Sequence, residues 1–98
     1  MTISIDHIIR NLREVFDPEI SVNIYDLGLI YNIEASEGSV DITHTLTSAF
    51  CPFADEIVSS IKQAGMVEGI LEVNVITTFD PPFTIDSVSE EAKLMMGW

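Results

Sequence analysis

A chain of 98 residues, 47% of them hydrophobic and 20% charged, suits one small globular domain over residues 1–98 and can bury a core without disulfide or metal staples. Sixteen acidic side chains stand against four basic ones, a formal net charge of −12. That balance excludes nucleic acid, whose affinity comes from Lys and Arg on phosphates, and an anionic membrane surface; it favours basic protein partners or cations.

Ile5, Ile8, Ile9, Leu12, Val15 and Phe16 recur at helical spacing opposite Asp6, Arg10, Arg13 and Glu14. The pattern predicts an amphipathic helix over about residues 4–16, capped by Thr2 or Ser4. Asp17-Pro18 ends it, because a residue before proline is pushed out of the α region. A connection over 17–28 closes on Asp26-Leu27-Gly28 and leads into a strand over 29–33. After the turn-rich segment 34–39, a second strand over 40–47 alternates, with Val40, Ile42, His44 and Leu46 on one face and Asp41, Thr43, Thr45 and Thr47 on the other. Two such runs around a short glycine-containing loop read as an antiparallel hairpin, one face core and the other polar or covered.

A second helix over 53–64 carries Phe53, Ile57, Val58, Ile61 and Ala64 on one stripe, with Asp55 and Glu56 in its first turn and Gly65 as its C′ residue. A third strand over 71–79 stops at Asp80-Pro81-Pro82, which offers no ladder donors. Ser87-Val-Ser-Glu90 matches a capping box and opens a last short helix through Met95 or Met96. The order α-β-β-α-β-α predicts an α+β two-layer sandwich with a three-stranded mixed sheet.

The chain has one cysteine, Cys51, followed by Pro52. Proline is well tolerated at the first helical position, which sets Cys51 at or beside the N-cap of the second helix. Free N–H groups and the helix dipole there favour a thiolate, lowering the thiol below its free pKa of about 8.5 and making it a nucleophile or a soft metal ligand. The plainer alternative is a small buried hydrophobe. Asp17-Pro18-Glu19 sets two carboxylates beside a rigid proline, where they can share a proton, bind a cation or raise each other's pKa. Its plainer alternative is a helix terminator followed by a solvated acid. His7 reads as exposed, and His44, aligned with Val40 and Ile42, as a core or interface histidine rather than a ligand. Tyr31, Phe53, Phe79 and Met95-Met96 read as core or interface packing.

No C-x-x-C, metal-spaced His/Cys cluster, phosphate-cradling glycine loop or G-x-S-x-G occurs. One thiolate is too few for an iron–sulfur cluster or structural zinc held by one chain. No apolar run approaches the roughly 18 residues of a membrane span, the first residues do not read as a signal peptide, and a single cysteine suits the reducing cytoplasm.

Taken together, Asp17-Pro-Glu-Ile-Ser-Val-Asn-Ile-Tyr-Asp-Leu-Gly-Leu-Ile30, Thr45-Leu-Thr-Ser-Ala-Phe-Cys-Pro-Phe53 and Phe79-Asp-Pro-Pro-Phe-Thr84 resemble one family. It is the small metal–sulfur cluster assembly family that includes SufT, the PaaD-type proteins and the eukaryotic cytosolic iron–sulfur adaptors. Ser89-Glu-Glu-Ala-Lys93 and Gly97 resemble the family's tail, so the likeness spans essentially the whole chain. The resemblance implies the iron–sulfur assembly fold and a shared pocket of Asp17, Glu19, Thr47, Ser48 and Cys51, with Cys51 as a transient cluster ligand. It implies a maturation factor or adaptor rather than an enzyme, working with the iron–sulfur assembly machinery and client apoproteins. No cofactor would be held stably by a single chain, although an iron–sulfur cluster would pass through transiently.

Phe50 stands where many relatives have glycine, His44 where the residue is usually apolar, and Phe83 where tryptophan is common. The PaaD branch carries a cysteine-rich C-terminal extension; the given chain stops at Trp98, which favours a general role over a dedicated oxygenase-assembly one. A weak homodimer is expected through Phe50, Phe53, Phe83 and Met95–Trp98. Two other functions compete: a thiol-dependent enzyme with Cys51 as nucleophile and Glu19 or Asp17 as base, and an acidic interaction module that docks on a basic client.

Overall fold

The computed structural model describes residues 5–17, 22–47 and 52–97. Its elements follow the order expected: α1 (Ile5–Leu12), β1 (Ile30–Ser36), β2 (Ser39–His44), α2 (Ala54–Gly65), β3 (Glu72–Thr77) and α3 (Glu90–Met96), with a 3-10 turn at Ile85–Ser87. β1 and β2 form the antiparallel hairpin, Ile33 facing Ile42 and Ala35 facing Val40. Because α2 crosses over between them, β3 returns parallel to β2, Val40 beside Val73 and Ile42 beside Val75. The result is a three-stranded mixed sheet in the order β1-β2-β3.

Period-two alternation sends Val40, Ile42, His44 and Val73 to one face of the sheet, where they are buried. α2 covers that face with Ile57, Ile61 and Ala64, and α1 packs on α2, its Ile8 and Leu12 joining the same core. Asn11 ties the two helices, its Nδ2 donating to the Ala64 carbonyl at 3.0 Å. Gly65 does not serve as a left-handed C′ residue. It is the last, buried residue of α2, and Met66 is the C-cap. A Cβ there would stand 3.0 Å from Val73 Cγ1 and 3.2 Å from Ile42 Cδ1, so the missing side chain lets the helix end settle onto the sheet.

α1 stops at Leu12, four residues short of the periodic pattern. Glu14 N–H donates to Asn11 O and Val15 N–H to Leu12 O, tightening the last turn, and the chain then straightens to pair with its own next segment. Asp17 N–H donates to Val22 O at 3.1 Å, Ile24 N–H to Val15 O at 2.8 Å, and Phe16 bridges Asn23 antiparallel. Backbone pairing thus overrides helical spacing at Val15 and Phe16, and Asp17-Pro18 is not what ends the helix. The expected caps at Thr2 and Ser4 lie outside the described residues.

α2 begins at Ala54 with Phe53 as N-cap, so Pro52 precedes the helix rather than opening it, and Cys51 falls two positions before the cap in sequence. α3 is capped by Ser89, whose Oγ accepts from Ala92 N–H at 3.2 Å; the expected cap, Ser87, closes the preceding 3-10 turn instead. Ser89 takes that role because its N–H is anchored on the Asp26 carbonyl at 2.8 Å. Phe53 and Phe83, expected as exposed contacts, are partly buried against the core, whereas Leu94 and Met95 on α3 are about 80% exposed, at 81% and 80%.

Candidate functional site

Asp17 is the first expected site residue in the chain and is 1% exposed. It ends one arm of the Phe16–Asn23 pairing, immediately before residues 18–21 in sequence. It is therefore no solvated acid. Thr47, half-buried, follows the buried Leu46 and immediately precedes residues 48–51 in sequence. Glu19, Ser48 and Cys51, together with Phe50, lie outside the described residues.

The segments leading to Asp17 and Thr47 belong to one hydrogen-bonded framework. Thr45 N–H donates to Leu29 O at 2.8 Å, Leu29 N–H to Ile24 O at 3.1 Å, and Ile24 N–H to Val15 O at 2.8 Å. A continuous backbone relay thus runs from the Thr47 segment through Leu29 and Ile24 to the Asp17 arm. Thr45 itself, expected on the polar face, is wholly buried. β2 ends at His44, which frees Thr45 from the alternation, and its Oγ1 has no hydrogen-bond partner among the described residues.

His44 is fully buried, as its alignment with Val40 and Ile42 implied. Its Nδ1 lies 3.1 Å from the Thr45 carbonyl, which can only accept, so Nδ1 carries the proton. Nε2 then accepts from Thr77 Oγ1 at 2.8 Å across the β2/β3 pair. Burial lowers the imidazole pKa below 6.5, and the bond to the Thr45 carbonyl opposes that shift. The neutral ring fastens the parallel strand ends and serves architecture.

The Asn23–Gly28 stretch proves to be scaffold as well. Asn23 Oδ1 accepts from Asp26 N–H at 2.8 Å, while its Nδ2 donates to Asp26 Oδ2 at 2.8 Å. Arg13 lies over the Tyr25 ring, 5.1 Å from its centroid, and 3.8 Å from Asp26 Oδ1. Gly28, at φ 79°, packs on the Ser87 backbone, where any side chain would collide. The Asn-x-x-Asp spacing is the sequence signal that marks such a self-bonded turn.

Among the described residues no group of three His, Cys, Asp or Glu side chains gathers as a metal site would require, and no described helix is long and apolar enough to cross a membrane. The family model described as iron–sulfur cluster assembly protein matches residues 5–75, which take in Asp17, Glu19, Thr47, Ser48 and Cys51. The chain belongs to that family. It is 45% identical over 95 residues to an Fe-S protein maturation auxiliary factor of Porphyromonas gingivalis, covering 95% of this chain and 90% of that protein. It is 34% identical over 85 residues to the Fe-S protein maturation auxiliary factor SufT of Staphylococcus aureus, covering 85% and 97%. Among solved structures, a domain of unknown function from Bacillus anthracis superposes with a TM-score of 0.87 at 36% identity, covering 94% of this chain and 90% of that one. The SufT-like resemblance and the α+β sandwich with its mixed sheet both hold.

Proposed function

We propose that this protein is a cytoplasmic auxiliary factor of iron–sulfur protein maturation, assisting the assembly of a cluster or its transfer to client apoproteins without a catalytic step of its own. The observation that carries this reading is the family match over residues 5–75, which spans both the Asp17 and the Cys51 segments. The cluster is cargo. Cys51 would be its transient ligand, a thiolate being the soft donor that iron–sulfur clusters take. Asp17, Glu19, Thr47 and Ser48 would orient that sulfur and tune its hydrogen bonding.

One thiolate per chain leaves a cluster's ligand shell incomplete, so transfer involves a second protein or a second copy of this chain. The test is anaerobic incubation with iron and sulfide, followed by ultraviolet–visible spectra and transfer to an apo-ferredoxin. Sulfur-to-iron bands in the wild type that vanish in Cys51→Ala support Cys51 as ligand. Equal bands and equal transfer in the two proteins would remove it from the role.

A further inference from the structure

A groove between the end of α1 and the outer side of α2 remains outside every role described so far. Its main cavity, about 380 Å³, is lined by Asn11, Glu14, Phe16, Ser60 and Gln63. A smaller one of about 70 Å³ continues along Phe16 to Glu56 and Ile57. Phe16 forms the shared wall and is 56% exposed, an aromatic left open immediately before Asp17.

We infer that this groove docks a basic amphipathic helical segment of a partner protein, an inference that rests on the maturation role proposed above and names the partner chemistry that role needs. Charge complementarity selects the sign. Glu14 and Glu56 flank the apolar wall, and none of the chain's four basic residues, Arg10, Arg13, Lys62 and Lys93, lines it. Arg13 is turned away onto Tyr25 and Asp26.

Backbone hydrogen bonding selects the shape. The N–H groups of Arg13, Glu14 and Val15 donate to Ile9, Asn11 and Leu12, the Val15 carbonyl accepts from Ile24, and the Ala64 carbonyl accepts from Asn11. Beyond Phe16, whose own N–H and C=O take no part in the bonds flanking its bridge to Asn23, these walls offer an incoming strand no continuous ladder, and the occupant is one that brings its own backbone bonds, as a helix does. An apolar side chain of that helix would cover Phe16, and Lys or Arg one turn away would meet Glu14 and Glu56. Docking here would hold the partner beside Asp17, which Phe16 adjoins in sequence.

The probe is a synthetic leucine–lysine amphipathic helical peptide, with a scrambled-order peptide of the same composition as control. Binding is followed by backbone amide chemical shifts of the protein without cluster, so the outcome is independent of whether Cys51 ligates iron. The expected result is shift changes confined to residues 11–16 and 56–64, stronger for the amphipathic order. Phe16→Ala should weaken binding about tenfold, as a central aromatic anchor does. The Glu14→Gln/Glu56→Gln pair should weaken it about two- to tenfold and reduce its salt dependence, the range for partly exposed ion pairs. Circular dichroism of each variant should match the wild type, since all three side chains are exposed. Shift changes spread equally over the acidic sheet residues Glu34 and Asp41, or equal binding of the scrambled peptide, would overturn the inference. Self-association of the protein lost in Phe16→Ala would assign the groove to a second copy instead.

Discussion

His44 and Thr77 hold the ends of two parallel strands together, imidazole Nε2 accepting from the threonine hydroxyl at 2.8 Å inside the core margin. The bond works only with the ring neutral at Nε2, and burial keeps it so by lowering the pKa from 6.5. Above that value the ring is neutral folded or unfolded and favours neither state. As pH falls through about 6.5, the unfolded chain takes up the proton first, and stability drops until the folded pKa is passed. Urea unfolding between pH 7.5 and 5.5 should show this loss, and His44→Leu should flatten it; an unchanged slope in the variant would assign the pH dependence elsewhere.

Thr77→Val should cost about 1 kcal/mol at pH 7, since it deletes the donor and leaves a ring nitrogen unmet. The same urea midpoints measure it. Thr77→Ser should restore most of the loss.

Gly28 meets the Ser87 backbone with φ at 79°, so Gly28→Ala suffers both a left-handed strain and a collision that only backbone movement relieves. A loss of about 2 kcal/mol or more is expected. Gly97→Ala has a similar φ of 74° but nothing within 4 Å, so it should lose only the conformational part, about 1 kcal/mol. Comparable losses in the two variants would mean that the contact between the 22–28 segment and the 3-10 turn carries no energy.

Asp17, wholly buried, should not behave as a surface acid. Asp17→Ala should lower stability by about 1–3 kcal/mol through the loss of a buried polar side chain, with the isosteric Asp17→Asn milder. If Asp17→Asn retains the fold by circular dichroism yet loses cluster transfer, the carboxylate acts in function; a variant with full transfer would leave it a scaffold residue.

Self-association should be weak and should tighten with salt, because a net charge of −12 on each chain opposes pairing until it is screened. Leu94 and Met95, exposed on α3, are the apolar contact this prediction expects. Light scattering across salt and protein concentration, with Leu94→Glu as the dissociating variant, tests it. A dimer unaffected by that variant would place the contact elsewhere.

The sequence by itself determined the element order, the hairpin and the core face of β2, because each is written in short-range periodicity that water enforces. It also carried the family, through motifs at 17–30, 45–53 and 79–84. What it misplaced were the ends. The helical spacing of Val15 and Phe16 is real, yet Val15–Asp17 pairs with Val22–Ile24, a competition between local and neighbouring hydrogen bonds that periodicity does not weigh. Pro52 looked like a first helical residue and Ser87 like a cap, but packing moved the two starts to Ala54 and Glu90. Gly65 read as a terminator, whereas it makes room for Val73, a neighbour only because the chain folds back. Only the tertiary structure decided that Asp17 is buried, and that backbone bonds through Leu29 and Ile24 join its segment to that of Thr47, since such bonds link residues whose separation in sequence says nothing of their distance in space.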